Sequence, residues 1–106
     1  MWIVKNDSFL SIVEDRSNNG MLMVRGRLKG DIEAVFPGAK VERTPRADYL
    51  YRAFLPRAEV KKAIAESIDS IDYDNFKGSV QNQSRYDIYM KLWEVMHKAQ
   101  KLLSKV

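Results

Sequence analysis

Apolar and polar positions change period several times along this chain, and each change marks an element. Phe9, Leu10, Ile12 and Val13 crowd the stretch Ser8 to Asp15, which reads as a first strand region, with Trp2 to Val4 as a short extension of the same edge. Ser17-Asn18-Asn19-Gly20 follows, and Asn-Gly between two apolar runs is the strongest short hairpin signal. Met21 to Leu28 then alternates, with Leu22, Val24 and Leu28 on one face and Met23, Arg25 and Arg27 on the other. Period two predicts a half-buried strand. A short helix comes next, with Asp31 as its cap, Ile32, Val35 and Phe36 as its apolar stripe, and Pro37-Gly38 as its stop. Val41 to Thr44 is a weak third strand, and Tyr49 to Leu55 a fourth that Pro56 ends.

Beyond Pro56 the period becomes helical. Val60, Ile64, Ile68 and Ile71 recur on one face, opposite Lys61, Lys62, Glu66 and Asp69. Asp72 or Asp74 restarts a helical turn through Phe76 and Val80, and Gln81-Asn82-Gln83 breaks it. Ser84 with Asp87 three residues on resembles a capping box, opening a last helix that runs to about Ser104. The expected order is β-β-α-β-β-α-α in a single α+β domain over residues 1–106. It predicts a four-stranded antiparallel sheet with helices on one face. The hairpin and the strand–helix–strand–strand–helix run can build a ferredoxin-like sandwich in permuted order.

Composition narrows the classes. A chain of 106 residues with 45% apolar content can bury a core of its own. There is no Cys, which excludes disulfides and thiolate metal sites. No apolar run approaches the ~18 residues of a membrane span, and Lys5, Asp7 and Ser8 interrupt the first ten residues, unlike a signal peptide. A cytoplasmic location is expected. The net charge of +4 is unevenly spread: residues 16–46 and 77–106 are each net +4, whereas 1–15 and 47–76 are each net −2.

Several local patterns look familiar: Ser11-Ile12-Val13-Glu14-Asp15-Arg16, the Val-Arg-Gly-Arg end of Met21 to Arg27, Asp48-Tyr49-Leu50-Tyr51-Arg52-Ala53, Tyr73-Asp74-Asn75-Phe76-Lys77 and Leu92-Trp93-Glu94-Val95-Met96. Together they span most of the chain and resemble a group of small uncharacterised proteins common in bacterial genomes. No activity is established for that group. The resemblance implies a bacterial, cytoplasmic single domain and assigns no active site.

Two surfaces are candidates for binding. On the last helix, apolar residues cover about two thirds of the circle, far beyond the ~100° stripe a surface helix needs. One flank is aliphatic: Ile88, Leu92, Val95, Ala99 and Leu102. The other is aromatic and Met-rich, with Tyr86, Tyr89, Met90, Trp93 and Met96, and His97 at its rim. Either both flanks lie in one core, or the aliphatic flank meets the fold and the aromatic flank, rich in interface residue types, docks a protein partner or a second copy. The second surface is the polar face of the sheet. Arg25 and Arg27 project from one strand and Arg52 from another, with Lys29, Arg43 and Arg46 nearby. Guanidiniums fit phosphates because their fork meets two oxygens at once. Sheet surfaces that bind single-stranded RNA add exposed aromatics for base stacking, and Tyr49 and Tyr51 alternate away from Arg52, so that signature is incomplete here. The alternative is a solvated strand face balanced by Glu14, Glu42 or Asp48.

No catalytic constellation emerges. Glu66, Asp69, Asp72 and Asp74 suit a solvent-facing helix side and a cap better than a Mg²⁺ site. His97 is the only His, and no Ser or acid is spaced to join it in a triad. Gly26 and Gly30 are not followed by the long helix a phosphate loop needs. The expectation is a non-enzymatic binding module without cofactor or metal. It acts through a protein interface on the last helix, as a homodimer or with another partner, with nucleic-acid binding on the arginine face as the rival.

Overall fold

The computed structural model describes residues 1–104, which form two compact units: Met1–Asp72, and a second beginning at Tyr73. The first is a sheet covered on one face by helices. Its elements are β1 (Trp2–Val4), β2 (Phe9–Glu14), β3 (Met21–Gly26), α1 (Asp31–Val35), β4 (Glu42–Arg43), β5 (Tyr51–Pro56) and α2 (Arg57–Asp69). The five strands lie in the order β1-β2-β3-β5-β4 with every neighbour antiparallel. The α+β class is as expected. The sheet has five strands rather than four, because Trp2–Val4 pairs back on β2 instead of extending it. A reversal between Lys5 and Ser8, closed by the Lys5 amide on the Ser8 carbonyl at 2.8 Å, brings it there.

Alternation sorts the two faces. Leu10, Ile12, Leu22, Val24, Ala53 and Leu55 point to one side and pack with Ile32, Val35 and Phe36 around α1 and with Val60 of α2. Gly26 allows the close approach of α1, since a Cβ there would stand 3.2 Å from Ile32 Cγ1. The apolar stripe of α2 reaches only partway over the sheet. Val60 is buried, Ile64 half-buried, and Ile68 and Ile71 are exposed.

Several boundaries differ from the expected ones for local reasons. β3 stops at Gly26, so Leu28 is exposed rather than on the core face. β5 begins at Tyr51, because a bend over residues 44–50 precedes it, and Pro56 is its last residue and the N-cap of α2. Gly30, at φ 93°, takes the N-cap of α1 in place of Asp31. The Asp31 carboxylate is buried and accepts instead from the Phe9 amide at 3.0 Å, tying α1 to the start of β2.

The second unit is helical: α3 (Phe76–Ser79) and α4 (Gln83–Leu103). The Asn75 side chain caps α3 by accepting from the Gly78 amide at 3.3 Å. The cap of α4 is Asn82, accepting from the Arg85 amide at 2.9 Å, rather than a Ser84–Asp87 box. Asp87 instead accepts from Gln83 Nε2 one turn earlier.

Candidate functional site

The face of the sheet opposite α1 and α2 carries the arginines. Residues directly opposite in an antiparallel pair share a face. The register therefore draws one row across all five strands: Trp2, Ser11, Arg25, Arg52 and Glu42. A second row holds Val13, Met23 and Phe54, and a third begins with Val4 and Phe9. Arg25 and Arg52 are thus direct cross-strand neighbours, an arrangement of like charges that is unfavourable by itself.

The segment between β4 and β5 folds over this face and holds the arginines in place. Thr44 Oγ1 donates to the Tyr49 carbonyl at 2.8 Å and accepts from Arg52 Nε at 3.2 Å. The Asp48 carboxylate accepts from the Tyr49 amide at 3.0 Å and stands 3.8 Å from the Arg52 guanidinium. The Asp48 carbonyl accepts from Arg27 Nη1 at 3.1 Å. This bend turns Tyr49 toward the arginines, contrary to the alternation that placed it away from Arg52. The Tyr49 ring is buried, with the Arg25 guanidinium 4.5 Å and the Arg27 guanidinium 4.2 Å from its centroid. Such stacking contributes about 0.5–2 kcal/mol per contact, more when water is excluded. Arg25 Nη2 donates to Ser11 Oγ at 2.7 Å, and its Nε is buried with no hydrogen-bond partner among the described residues.

Rings other than the tyrosines complete the aromatic part of this face. Trp2 is 66% exposed and Phe54 41% exposed, and Phe9 lies against Trp2 with centroids 5.6 Å apart. The alternating pattern of β5 could have revealed Phe54, which is two residues from Arg52. Trp2 could not be placed without knowing that β1 is a strand of its own. Of the other basic candidates, Arg46 joins Arg52 in lining a shallow hollow with Thr44. Arg43 falls in the row of Tyr51, on the helix-bearing face. Lys29 is exposed past the end of β3. Asp48 partners Arg52, and Glu42 is opposite Arg52 in register.

The last helix distributes its apolar residues differently from expectation. On the aromatic flank, Tyr89 is buried and stacks on Phe76 of α3 at 5.9 Å, and Arg85 Nη1 donates to its hydroxyl at 3.1 Å. Tyr86 and Met90 are half-buried. Trp93 is 47% exposed, stacked on the half-buried His97 at 4.9 Å and approached by the Lys77 ammonium at 5.0 Å, and Met96 is exposed. The aliphatic flank, expected to be covered, is open at Ile88, Val95 and Leu102. With Leu92 and Ala99 between them, these residues alternate spacings of four and three, the seam of a coiled-coil helix.

Among the described residues no three His, Cys, Asp or Glu side chains gather to hold a metal ion, and no helix is long and apolar enough to cross a membrane. The chain matches no protein-family model, no curated protein and no solved structure.

Proposed function

We propose that this chain is a non-enzymatic binding module and that the open face of its sheet holds nucleic acid. The observation that carries this reading is the cluster of Arg25, Arg27 and Arg52 around Tyr49 and Asp48. Arg25 and Arg52 face each other across adjacent strands, Arg27 shares the Tyr49 ring with Arg25, and the Asp48 carboxylate stands beside Arg52. A phosphate bound there relieves the repulsion between them, and their side chains are already held for it, which lowers the ordering cost of binding. The fold supports the same reading by analogy. β3–α1–β4 encloses β5 as a split β-α-β, so the order β2-β3-β5-β4 is that of a ferredoxin-like sandwich in permuted form, with β1 added at its edge. RNA-recognition sheets use such an open face.

Titration of labelled nucleic acid against the protein over a salt series tests the reading. Affinity is expected to fall linearly on a log–log plot. The Arg25→Ala, Arg27→Ala double variant is expected to lower the slope by about two. Absence of binding to any nucleic acid at low salt overturns the proposal.

A second reading rests on α4. Its open seam of Ile88, Val95 and Leu102 suits a protein interface with another copy or a different partner, on the aliphatic flank rather than the aromatic one. Trp93 and Met96 extend the exposed apolar surface onto the other flank. Light scattering during gel filtration decides the self-association version, which a monomer at high micromolar concentration removes.

A further inference from the structure

We infer that the strand held on the open face is unpaired RNA, an inference that rests on the nucleic-acid reading above. Two features of the face carry it. The first is the position of its rings. Trp2 is in the same cross-strand row as Arg25 and Arg52, at the far edge of the sheet, and Phe54 lies one row away on the strand that bears Arg52. Both are exposed, and Phe9 backs Trp2. From β1 to β5 there are three strand spacings, about 14 Å, room for the two or three bases that an open sheet commonly stacks. A duplex cannot use these rings. Its base faces are occupied by neighbouring pairs, and the major groove of an RNA duplex is too deep and narrow for side chains to read. Only an unpaired strand offers a π-face to Trp2 and Phe54 while its phosphates reach Arg25 and Arg27.

The second feature is the carboxylates on the same face. Asp48, whose side chain is 71% exposed, stands beside Arg52, and Glu42 is opposite Arg52 in register. Ionised carboxylates only accept hydrogen bonds. Beside a DNA backbone they meet phosphate oxygens and sugar carbons, so they repel and gain nothing. A ribose brings a 2′-hydroxyl, the donor that separates RNA from DNA. The face therefore offers guanidiniums to phosphates, rings to bases and carboxylates to 2′-hydroxyls.

Fluorescence anisotropy with one short sequence as single-stranded RNA, single-stranded DNA and RNA duplex tests this. Single-stranded RNA is expected to bind at least about fivefold tighter than either other form. Trp2→Ala and Phe54→Ala are each expected to weaken it about tenfold, within the range known for base–aromatic stacking, while Trp2→Phe retains most of the affinity. Circular dichroism of each variant checks that the sheet is intact. Asp48→Asn with Glu42→Gln is expected to bring the RNA-to-DNA ratio close to one. Equal binding of duplex RNA or of single-stranded DNA, or full affinity in both ring-to-Ala variants, overturns the inference and leaves the nucleic-acid reading standing. If none of the three forms binds, that reading fails with it.

Discussion

The sheet unit and the helical unit use apolar residues in opposite ways. In the sheet unit a period-two pattern sends one face of each strand inward, and Leu10, Val24, Ile32 and Ala53 are almost wholly removed from water. Its other face is left to charge and rings. In the helical unit one long helix carries apolar residues on most of its circumference, while α3, a single turn, brings Phe76 to Tyr89 and Lys77 to Trp93. Ile88, Val95, Met96, Leu102 and Leu103 remain exposed. A strand has two faces and can devote one to folding. A helix whose apolar belt is wider than a single helical turn can cover has surface left over, which a partner can cover.

This contrast can be tested at three strengths. Leu10→Ala empties a fully buried site, so it is expected to cost about 3 kcal/mol of unfolding free energy in urea. Leu102→Ala on the open seam is expected to cost well under 1 kcal/mol. Similar costs for the two would show that Leu102 is buried in solution. Next, Asn82→Ala removes the side-chain cap of α4 and is expected to cost about 1 kcal/mol, read as lost helicity by circular dichroism and little change in the sheet unit. Smallest in its effect on folding is Val95→Glu, expected to stay within about 0.5 kcal/mol of the parent in thermal unfolding. Its effect on association is expected to be large, since a seam carrying a carboxylate cannot pair. A dimer that persists in Val95→Glu would move the interface off this flank.

Much of the sheet was legible because period two is a strong constraint. The alternation of Met21 to Gly26 placed Arg25 opposite the core, and the same parity in β5 set Arg52 and Phe54 apart from Ala53 and Leu55. β1 was harder to separate, because three residues carry no period and the Lys5–Ser8 reversal uses neither Gly nor Pro. The alternation misplaces Tyr49 for a related reason. Counting by twos from Tyr51 assumes a continuous strand, whereas the Asp48 carboxylate bonds the Tyr49 amide and bends the chain there. On α4 the periodicity revealed two apolar flanks and could not rank them. That depended on where Phe76 and Lys77 fall, and a single helical turn has no repeat from which their direction can be read.

The line from Trp2 to Glu42 gathers its members from positions separated by as many as fifty residues of chain, one from each strand. That has a consequence for how such a protein can vary between lineages. An inserted or deleted residue within β3 would exchange Arg25 for Val24 or Gly26 on the outer side and scatter the set. The loop from Asp15 to Gly20 can lengthen or shorten without disturbing any of it. Length variation among relatives should therefore collect in that connection, while the strands keep a constant count.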